Sequence, residues 1–395
     1  MKKGEKYMEK KLVRFTSYFT CIFSLFVCAA VWVLPTIRQR VEAFSAGIIE
    51  DRRAREERYA LLEKMSGLEI LDYNTQKVQE KAEKVQAAEE RGEIEAVDEV
   101  IVITHQMQLE MPKGTKPSKV QIAQKYVDQK IEISIPGADE NYMYDYQLLG
   151  KTDDIKSLDY FSGSDGGSIV LTMDKVVEVQ SSYDQDYLYL DFFSPKELYD
   201  RVVVVDAGHG GRAPGAVSGD KYEKDITLAI VQQIKALFDE AKDPTIRVYY
   251  TRLDDSNPDF SNRVGLANNS EADLFVSVHI NSVKGSTDVE GIEVMYDELA
   301  ADTAFDTKDF AQICLDEEVK ALGAKKRRVV AGNKIYIIRN SNAPVALVEV
   351  GFMNNPTELA RLLDTSYQKK AAEGIYNALI KSLDQLDELD KKEKK

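Results

Sequence analysis

The sequence predicts an α/β protein in which a mixed, mostly parallel sheet is flanked by helices. In residues 199–390, short β-branched runs such as 202–206 alternate with helical patterns of ten or more residues. Residues 100–198 instead show alternating apolar and polar runs, which predict a small β-rich domain before the sheet. A charged segment of helical periodicity (39–99) and an uncharged N-terminal stretch precede both. They predict a helical stalk and one N-terminal transmembrane helix.

The charge and the cysteines of the chain limit its function. The formal net charge is -15 and the pI is about 4.9, which argues against binding to nucleic acid, since that requires a basic surface. Two of the three cysteines, Cys21 and Cys28, lie in the N-terminal apolar stretch. Cys314 lies in a helical pattern, and we expect a buried thiol there rather than a nucleophile.

The N-terminal stretch has the length of a membrane span. Residues 15–37 carry no charge and follow a lysine-rich start, and at about 1.5 Å per residue they can cross a bilayer core of about 30 Å. A cleaved signal peptide is less favoured, because the apolar run continues beyond Ala29 and Ala30. We therefore expect residues 1–38 to form a cytoplasmic tail and an uncleaved anchor. Arginines follow the span, so charge alone leaves its orientation open.

The segment 39–99 reads as a charged stalk of at most two helices, because Gly67 and the run 72–74 interrupt its periodicity. Three clean heptads are missing, which favours a solvated spacer over a coiled coil. Dimerisation through the stalk stays open as an alternative.

The β-rich region 100–198 contains predicted strands at 131–136, 168–173 and 187–193. Tyr142, Tyr144 and Tyr146 alternate, and in a strand their three rings would share one face. That face would either pack within the domain or serve as a platform for sugar rings or a partner protein.

The C-terminal part alternates between the two kinds of element, and its last helix has apolar residues at steps of four that would dock on the sheet. Predicted strands are 202–206, 246–251, 274–279, 292–296, 334–339 and 345–350, and predicted helices are 226–240, 262–269, 307–322, 356–363 and 366–386.

Four polar residues follow or interrupt these apolar strands. His209 lies in a Gly-rich turn after the first strand, Glu223 begins the next helical pattern, and His279 and Glu349 end two later strands. The carboxyl ends of parallel strands meet at one edge of a sheet, so we expect these side chains to converge. Two imidazoles and one carboxylate match a catalytic zinc site with a fourth position for water, and Glu349 remains as a base.

Simpler roles exist for each of these residues alone. Glu223 could be a helix N-terminal acid, and Glu349 a buried carboxylate with a structural partner. The glycines around His209 lack the pattern of a phosphate-binding loop, and no Gly-x-Ser-x-Gly elbow occurs. We expect Asp206 and Asn281 to support the histidines, and we expect the third histidine, His105, to be structural.

The motifs resemble those of the zinc-dependent N-acetylmuramoyl-L-alanine amidases. The resemblance runs from about residue 201 to about residue 383 and includes Asp-Ala-Gly-His-Gly-Gly (206–211), Ser-Val-His-Ile-Asn-Ser (277–282) and Val-Glu-Val-Gly-Phe (348–352). It implies that His209, Glu223 and His279 are zinc ligands and that Glu349 is the catalytic carboxylate. Ile280 and the basic run 325–328 depart from the family pattern, which affects substrate contacts rather than the metal.

The resemblance also implies a substrate and a location. The substrate would be peptidoglycan, cut between N-acetylmuramic acid and L-alanine, which puts the catalytic part outside the cell membrane. Residues 100–198 loosely resemble AMIN-type domains, which target such amidases to the wall. The interval 297–333 has room for about one ordinary helix, so we expect an uncovered site controlled by location or by a protein activator.

Two other classes remain open from the sequence. One is a metallopeptidase that cuts within the stem peptide, and the other is a catalytically silent wall-binding scaffold. The products of digestion separate the first from an amidase, and the zinc content separates the second.

Overall fold

A computed structural model of the protein describes residues 105–146, 148–150, 154–300 and 305–393. These residues belong to one compact unit, Val102–Lys395. The predicted membrane anchor (15–37) and stalk (39–99) lie outside the described residues. Within the described ranges, no helix is long and apolar enough to cross a bilayer.

The region before the large sheet is built from two four-stranded antiparallel sheets, with strand orders β4-β1-β8-β7 and β2-β3-β6-β5. Burial alternates along β3, β6 and β8, and the inward side chains of both sheets form one hydrophobic cluster. The strands are β1 (Met107–Glu110), β2 (Gln121–Lys125), β3 (Lys130–Pro136), β4 (Leu148–Gly150), β5 (Ile155–Gly163), β6 (Gly166–Met173), β7 (Glu178–Tyr183) and β8 (Tyr187–Phe193).

The predicted tyrosine strand in this region is wrong. Residues Tyr142–Asp145 form a short helix, α1, so the three rings do not share a strand face. Tyr142 is buried, with its hydroxyl donating to the carbonyl of Glu110 at 2.8 Å, whereas Tyr144 is exposed. The run Asn-Tyr-Met-Tyr-Asp lacks the β-branched residues of a strand, and one helical turn buries one tyrosine without burying its neighbours.

The C-terminal part contains a six-stranded sheet of order β12-β9-β13-β16-β14-β15. The first four strands in that order are parallel, β14 is antiparallel to β16, and β15 is parallel to β14. The mixed, mostly parallel sheet of the prediction is therefore observed. Its strands are β9 (Arg201–Ala207), β12 (Ile246–Tyr250), β13 (Leu274–Asn281), β14 (Ile292–Tyr296), β15 (Lys326–Ala331) and β16 (Val345–Phe352), and a small hairpin joins β10 (Val217–Ser218) to β11 (Lys221–Tyr222).

Helices cover both faces of this sheet. On one side, called the three-helix face, α3, α5 and α8 pack against one apolar cluster. On the other, called the two-helix face, α4 and α6 pack against a second cluster. The helices after α1 are α2 (Pro195–Leu198), α3 (Glu223–Ala241), α4 (Phe260–Asn269), α5 (Thr307–Leu322), α6 (Tyr336–Arg339), α7 (Pro356–Leu362) and α8 (Thr365–Glu393).

The predicted strand at 334–339 is also wrong. The edge strand is β15, which begins and ends eight residues earlier, and 334–339 contains the single turn α6. Ile337 and Ile338 are both buried, which a helical turn allows and a strand with one buried face does not. β15 was missed because only Val329 and Val330 interrupt its charged and exposed residues, as is common for an edge strand.

The β-rich region packs directly on the two-helix side of the sheet. Val176 is buried in the same cluster as the sheet residue Tyr249. The carboxylate of Glu178 accepts hydrogen bonds from Arg247 Nε and the Tyr249 hydroxyl, both at 2.6 Å. The Arg247 guanidinium also lies 5.2 Å from the ring centroid of Tyr126. The two parts therefore share a core and an ion pair.

Candidate active site

The four residues singled out in the sequence lie at the carboxyl edge of the parallel strands. His209 follows β9, Glu223 is the first residue of α3, and His279 and Glu349 lie in β13 and β16. One ligand atom from each of His209, Glu223 and His279 falls within 4.8 Å of the others. His279 and Glu349 are direct partners in the parallel register. The structure therefore brings together all four residues.

The Gly-rich turn gives His209 its position. The backbone φ of His209 is 62°, and those of Gly210 and Gly211 are 132° and 50°, so three successive residues adopt conformations that L side chains rarely occupy. A Cβ on Gly210 would clash with the carbonyl oxygen of Ser256. The carbonyl of His209 accepts a hydrogen bond from Arg263 at 2.7 Å. This turn holds the imidazole at the edge of the sheet.

Glu223 is held by two backbone donors and two imidazoles. Its Oε1 accepts from the N–H of Ile280 at 3.0 Å and lies 2.9 Å from His279 Nδ1. Its Oε2 accepts from the N–H of Ala216 at 2.7 Å and lies 3.2 Å from His209 Nε2. Burial alone would raise the pKa of Glu223, but the contacts with both histidines outweigh it and hold the pKa well below its usual 4.5. The carboxylate is therefore ionised at neutral pH.

Two glycines leave the space that these side chains fill. A Cβ on Gly208 would clash with the ring of His279, and a Cβ on Gly215 would clash with Oε2 of Glu223. The two imidazoles meet edge to face, with ring centroids 4.9 Å apart. The backbone at Gly208 and Gly215 therefore packs directly against the side chains of the cluster.

Glu349 is a buried acid with one free oxygen. Its Oε2 has no hydrogen-bond partner among the described residues. Burial raises the pKa of Glu349 well above 4.5, and the nearby carboxylates of Glu223 and Glu293 raise it further. An acid buried without a partner is costly, and its position beside His279 marks Glu349 as part of the site rather than as a packing residue.

Glu293 links Glu349 to the basic run noted in the sequence. It is the antiparallel partner of Glu349 in β14, and its Oε2 lies 3.3 Å from Arg327 Nε and 3.2 Å from Arg328 Nε. The two lysines of the run pair with other acids, Lys325 with Glu290 and Lys326 with Asp316. The two arginines therefore contact the acid that is the register partner of Glu349.

The predicted supports are only partly observed. Asp206 is buried, and its carboxylate accepts hydrogen bonds from Thr251, Ser277 and Arg263 at 2.5, 2.5 and 2.6 Å rather than from an imidazole. It supports His209 indirectly, through Arg263. Asn281, the last residue of β13, accepts a hydrogen bond at Oδ1 from the N–H of Ser282 at 2.7 Å, so its side chain supports the start of the following loop rather than an imidazole.

Two buried arginines were missed as site residues. Arg252 donates to the carbonyls of Ala207 and Gly208 at 2.9 and 2.8 Å, and Arg263 donates to those of Ala207 and His209 at 2.8 and 2.7 Å. Together they fix three successive carbonyls of the turn. For Arg263 the signal was its position on the apolar side of a helical pattern, where an arginine needs buried acceptors.

The other singled-out residues lie outside the site. His105 Nδ1 is 2.8 Å from Asp191, and its ring packs 4.7 Å from that of Tyr189, so it is structural as expected. Cys314 is fully buried, and burial raises the pKa of its thiol, which makes it inert as predicted.

The cluster of His209, Glu223 and His279 has the composition of a metal site. Two imidazoles and one carboxylate are the ligands that divalent zinc takes in hydrolases. The three groups converge, and the two glycines leave room around them. The residues present therefore fit a bound divalent metal ion.

Known proteins share this part of the chain. The family model for N-acetylmuramoyl-L-alanine amidases matches residues 203–381. A germination-specific N-acetylmuramoyl-L-alanine amidase of Bacillus subtilis is 30% identical over 198 residues, which cover 47% of this chain and 80% of that protein. The chain belongs to the N-acetylmuramoyl-L-alanine amidase family. This enzyme hydrolyses the amide bond between N-acetylmuramic acid and the L-alanine of the peptidoglycan stem peptide.

Solved structures of amidases match the same part of the chain. The catalytic domain of CwlV from Bacillus (Paenibacillus) polymyxa var. colistinus is 35% identical and covers 47% of this chain and 98% of its own, with a TM-score of 0.43. The CwlD amidase of Clostridioides difficile, solved in complex with the GerS lipoprotein, is 32% identical and covers 47% and 98%, with a TM-score of 0.42.

Proposed function

We propose that this amidase is a zinc hydrolase in which His209, Glu223 and His279 hold the ion and Glu349 transfers the proton. The convergence of the three ligand atoms within 4.8 Å, beside a buried acid, supports this assignment most strongly. The two backbone N–H donors to Glu223 fix the orientation of its carboxylate. A ligand set held in this way needs little rearrangement on binding an ion.

The reaction divides between the ion and the chain. When bound, zinc would polarise the scissile carbonyl, acidify water at the site and lower the pKa of nearby Glu349. Glu349 would accept a proton from the attacking water and deliver it to the leaving nitrogen of L-alanine. Its burial keeps that proton from bulk water between the two transfers.

The substitution Glu349→Gln tests this assignment. It keeps the shape of the side chain but removes the proton acceptor, so the rate should fall by about 10²- to 10⁴-fold while zinc stays bound. The assay is digestion of purified peptidoglycan, with mass spectrometry of the released peptides and a zinc assay of the protein. Glu318→Gln is the matched control, because Glu318 is also a buried acid but lies in α5 on the three-helix face.

The expected products are free stem peptides that begin with L-alanine. Cuts within the stem peptide would contradict amidase action, and wild-type turnover by Glu349→Gln would contradict the role given to that residue.

We propose that the enzyme is anchored in the cell membrane by one N-terminal helix at residues 15–37, with its catalytic part on the extracytoplasmic side. The uncharged length of that stretch supports an anchor, and the substrate lies outside the membrane. Added protease should degrade the catalytic part in cells whose wall is removed but whose membrane is intact. Release of the protein from membranes by a salt wash, or its protection from protease, would contradict this topology.

We propose that the β-rich region is an AMIN-like module that binds the wall. Its position before the catalytic sheet supports this, and so do the exposed side chains of Phe161 and Tyr183. Replacing both with Ser should weaken sedimentation of the full chain with purified sacculi. Unchanged sedimentation of the folded variant would contradict this role.

We propose that the site is uncovered and that location or a separate activator controls it. The described residues between β14 and β15 contain one helix, α5, which packs on the three-helix face. A purified chain whose turnover on soluble muropeptides does not rise when cell extract is added would rule out the activator. Dimerisation through the stalk (39–99) is a separate proposal, which sedimentation velocity of the full chain tests.

A further inference from the structure

Two exposed aromatic rings stack on each other at the two-helix face. Phe260 begins α4 and is 64% exposed, and Tyr336 begins α6 and is 37% exposed. Their ring centroids are 6.1 Å apart with an interplanar angle of 26°. The guanidinium of Arg339 lies 5.5 Å from the Tyr336 centroid. We call these three residues the aromatic pair and its arginine.

The fold places Phe260 level with the histidine site. α4 connects the carboxyl end of β12 to the start of β13, so its first residue lies at the carboxyl edge. Arg263 bonds Asp206 at 2.6 Å, and Asp206 is the register partner of Ser277. Phe260 lies about 4.5 Å before Arg263 along the helix, and His279 lies about 6.6 Å beyond Ser277 along the strand.

The fold places Tyr336 on the two-helix face near β16, the strand next to β13. Ile337 and Ile338 pack in the same cluster as Leu347 of β16. Leu347 precedes Glu349 by two residues, so both side chains point to the two-helix face. The aromatic pair therefore bridges α4 and α6 in front of β13 and β16, the strands that carry His279 and Glu349.

The core does not require these two rings. The side chains of α4 that pack in the core are Val264, Leu266 and Ala267, and those of α6 are Ile337 and Ile338. Phe260 is mostly exposed and Tyr336 is about one-third exposed, although apolar residues lie beneath them. An exposed apolar patch beside a catalytic site is typical of a binding surface.

Charge distinguishes the two directions in which a bound substrate can extend from the site. On the β15 side, Arg327 and Arg328 border Glu293, and this basic side suits the stem peptide, which carries carboxylates. The opposite side, toward α4 and α6, presents the stacked rings. Aromatic faces pack well against the C–H face of a sugar ring.

We propose that Phe260 and Tyr336 form a subsite for a sugar ring of the glycan strand, with Arg339 beside it to hydrogen-bond the polar substituents of that ring. The proposal rests on the amidase function and adds the element that selects glycan-linked over free peptide. The rings would contact the substrate but take no part in proton transfer.

The test compares two soluble substrates that share the scissile amide. One is a disaccharide-linked stem peptide, and the other is the same peptide carrying only the lactyl group. The double variant Phe260→Ala, Tyr336→Ala should lower the ratio of kcat/KM between them by about 10- to 100-fold, mostly through KM for the disaccharide substrate. Tyr144→Ala is the control, because it removes an exposed aromatic side chain from the β-rich region.

An equal loss on both substrates, or no loss on either, would overturn the proposal. The proposal would also be overturned if Tyr336→Phe and Phe260→Trp, which keep the rings, failed to keep the ratio near that of the wild type. If the wild-type chain cleaved neither of the two substrates, the result would instead count against the amidase function itself.

A second measurement does not depend on turnover. The chain has one tryptophan, Trp32, in its N-terminal stretch, so Phe260→Trp adds a reporter at the proposed subsite. Peptide-free disaccharide should change its emission with saturation. No change at concentrations that saturate cleavage of the disaccharide substrate would overturn the proposal.

Discussion

The two faces of the six-stranded sheet use the same strands for different purposes. On the three-helix face the inward positions of the central strands are apolar and buried along their whole length. On the two-helix face the apolar cluster ends at Phe275 and Leu347. Toward the carboxyl edge of the sheet, the next side chains on this face are those of Ser277, His279 and Glu349. Apolar packing on the three-helix face fixes the position of the strands, and the two-helix face carries the site residues.

Strand alternation connects these two purposes. Val278 and Ile280 flank His279, and Val348 and Val350 flank Glu349, and all four are buried on the three-helix face. Packing on one side of the sheet therefore fixes the polar residues on the other. The turn that carries His209 lies beyond the strand and is held instead by Arg252 and Arg263.

The largest effect should follow from removing a ligand on the two-helix face. In His279→Ala, the cluster loses one of its two imidazoles, so zinc content and peptidoglycan cleavage should both fall to background, a loss of at least about 10³-fold in rate. His105→Ala removes a histidine of the β-rich region and should retain both. An active, zinc-free His279→Ala would contradict the assigned ligand set.

A smaller effect should follow from filling the space around that histidine. In Gly208→Ala, the new methyl group would meet the His279 ring, and the rate should fall by about 10²-fold because misplaced catalytic groups are this costly. Gly265→Ala adds a methyl group in α4, where the nearest atom is 3.5 Å away. It should leave the rate unchanged and raise stability slightly. Equal behaviour of the two variants would refute the close packing of the cluster.

The contact between the β-rich region and the sheet should contribute stability rather than catalysis. Arg247→Ala leaves Glu178 without its cation, and because the arginine is partly exposed we expect a loss of about 2 kcal/mol rather than the larger loss of a fully buried pair. Denaturant unfolding of wild type and variant measures it. The rate per folded molecule should not change, and a change would mean that this contact also shapes the site.

A buried acid on the three-helix face should make stability depend on pH. Glu318 has no partner for either oxygen among the described residues, and burial raises its pKa well above 4.5. The folded chain therefore binds this proton more tightly than the unfolded chain. Stability should fall as pH rises above 4.5, by up to about 1.4 kcal/mol per unit, until the folded-state pKa is reached.

Glu318→Met tests that dependence with an unbranched apolar side chain of similar length. Cys314 on the same helix, Tyr367 on α8 and the backbone at Gly374 surround the carboxyl. The variant should exceed the wild type in stability by about 1 to 3 kcal/mol at neutral pH, with a smaller difference near pH 4. A difference that stays constant with pH would show that Glu318 does not hold its proton in the folded state.

Most of the sheet could be predicted from the sequence because its central strands are β-branched and buried on both faces. The helix Thr307–Leu322 and the strand Ile292–Tyr296 have the predicted bounds. The predictions were wrong where tertiary contacts, rather than the local sequence pattern, decide the secondary structure. β15 is an edge strand with a charged surface, and Tyr142 is buried by a helical turn that its own residues do not require.

The convergence of the site residues could also be predicted, because strand ends and a short turn define it. Its supports could not. Arg252 and Arg263 bind the carbonyls of a turn distant in sequence, and which backbone groups lack partners there becomes visible only once the strands are assembled. The predicted support of a histidine by Asn281 is not observed, since its Oδ1 accepts from the N–H of Ser282, and the register of β13 shifts between His279 and Asn281.

A zinc titration of the full chain tests the central claim most directly. The protein is stripped with a chelator, and zinc is added in steps while release of stem peptides that begin with L-alanine is measured. Activity should rise from background and level off at one zinc ion per chain, and Glu349→Gln should bind the same amount without releasing peptide. Full activity of the stripped wild-type chain, or a site that binds no zinc, would contradict the account.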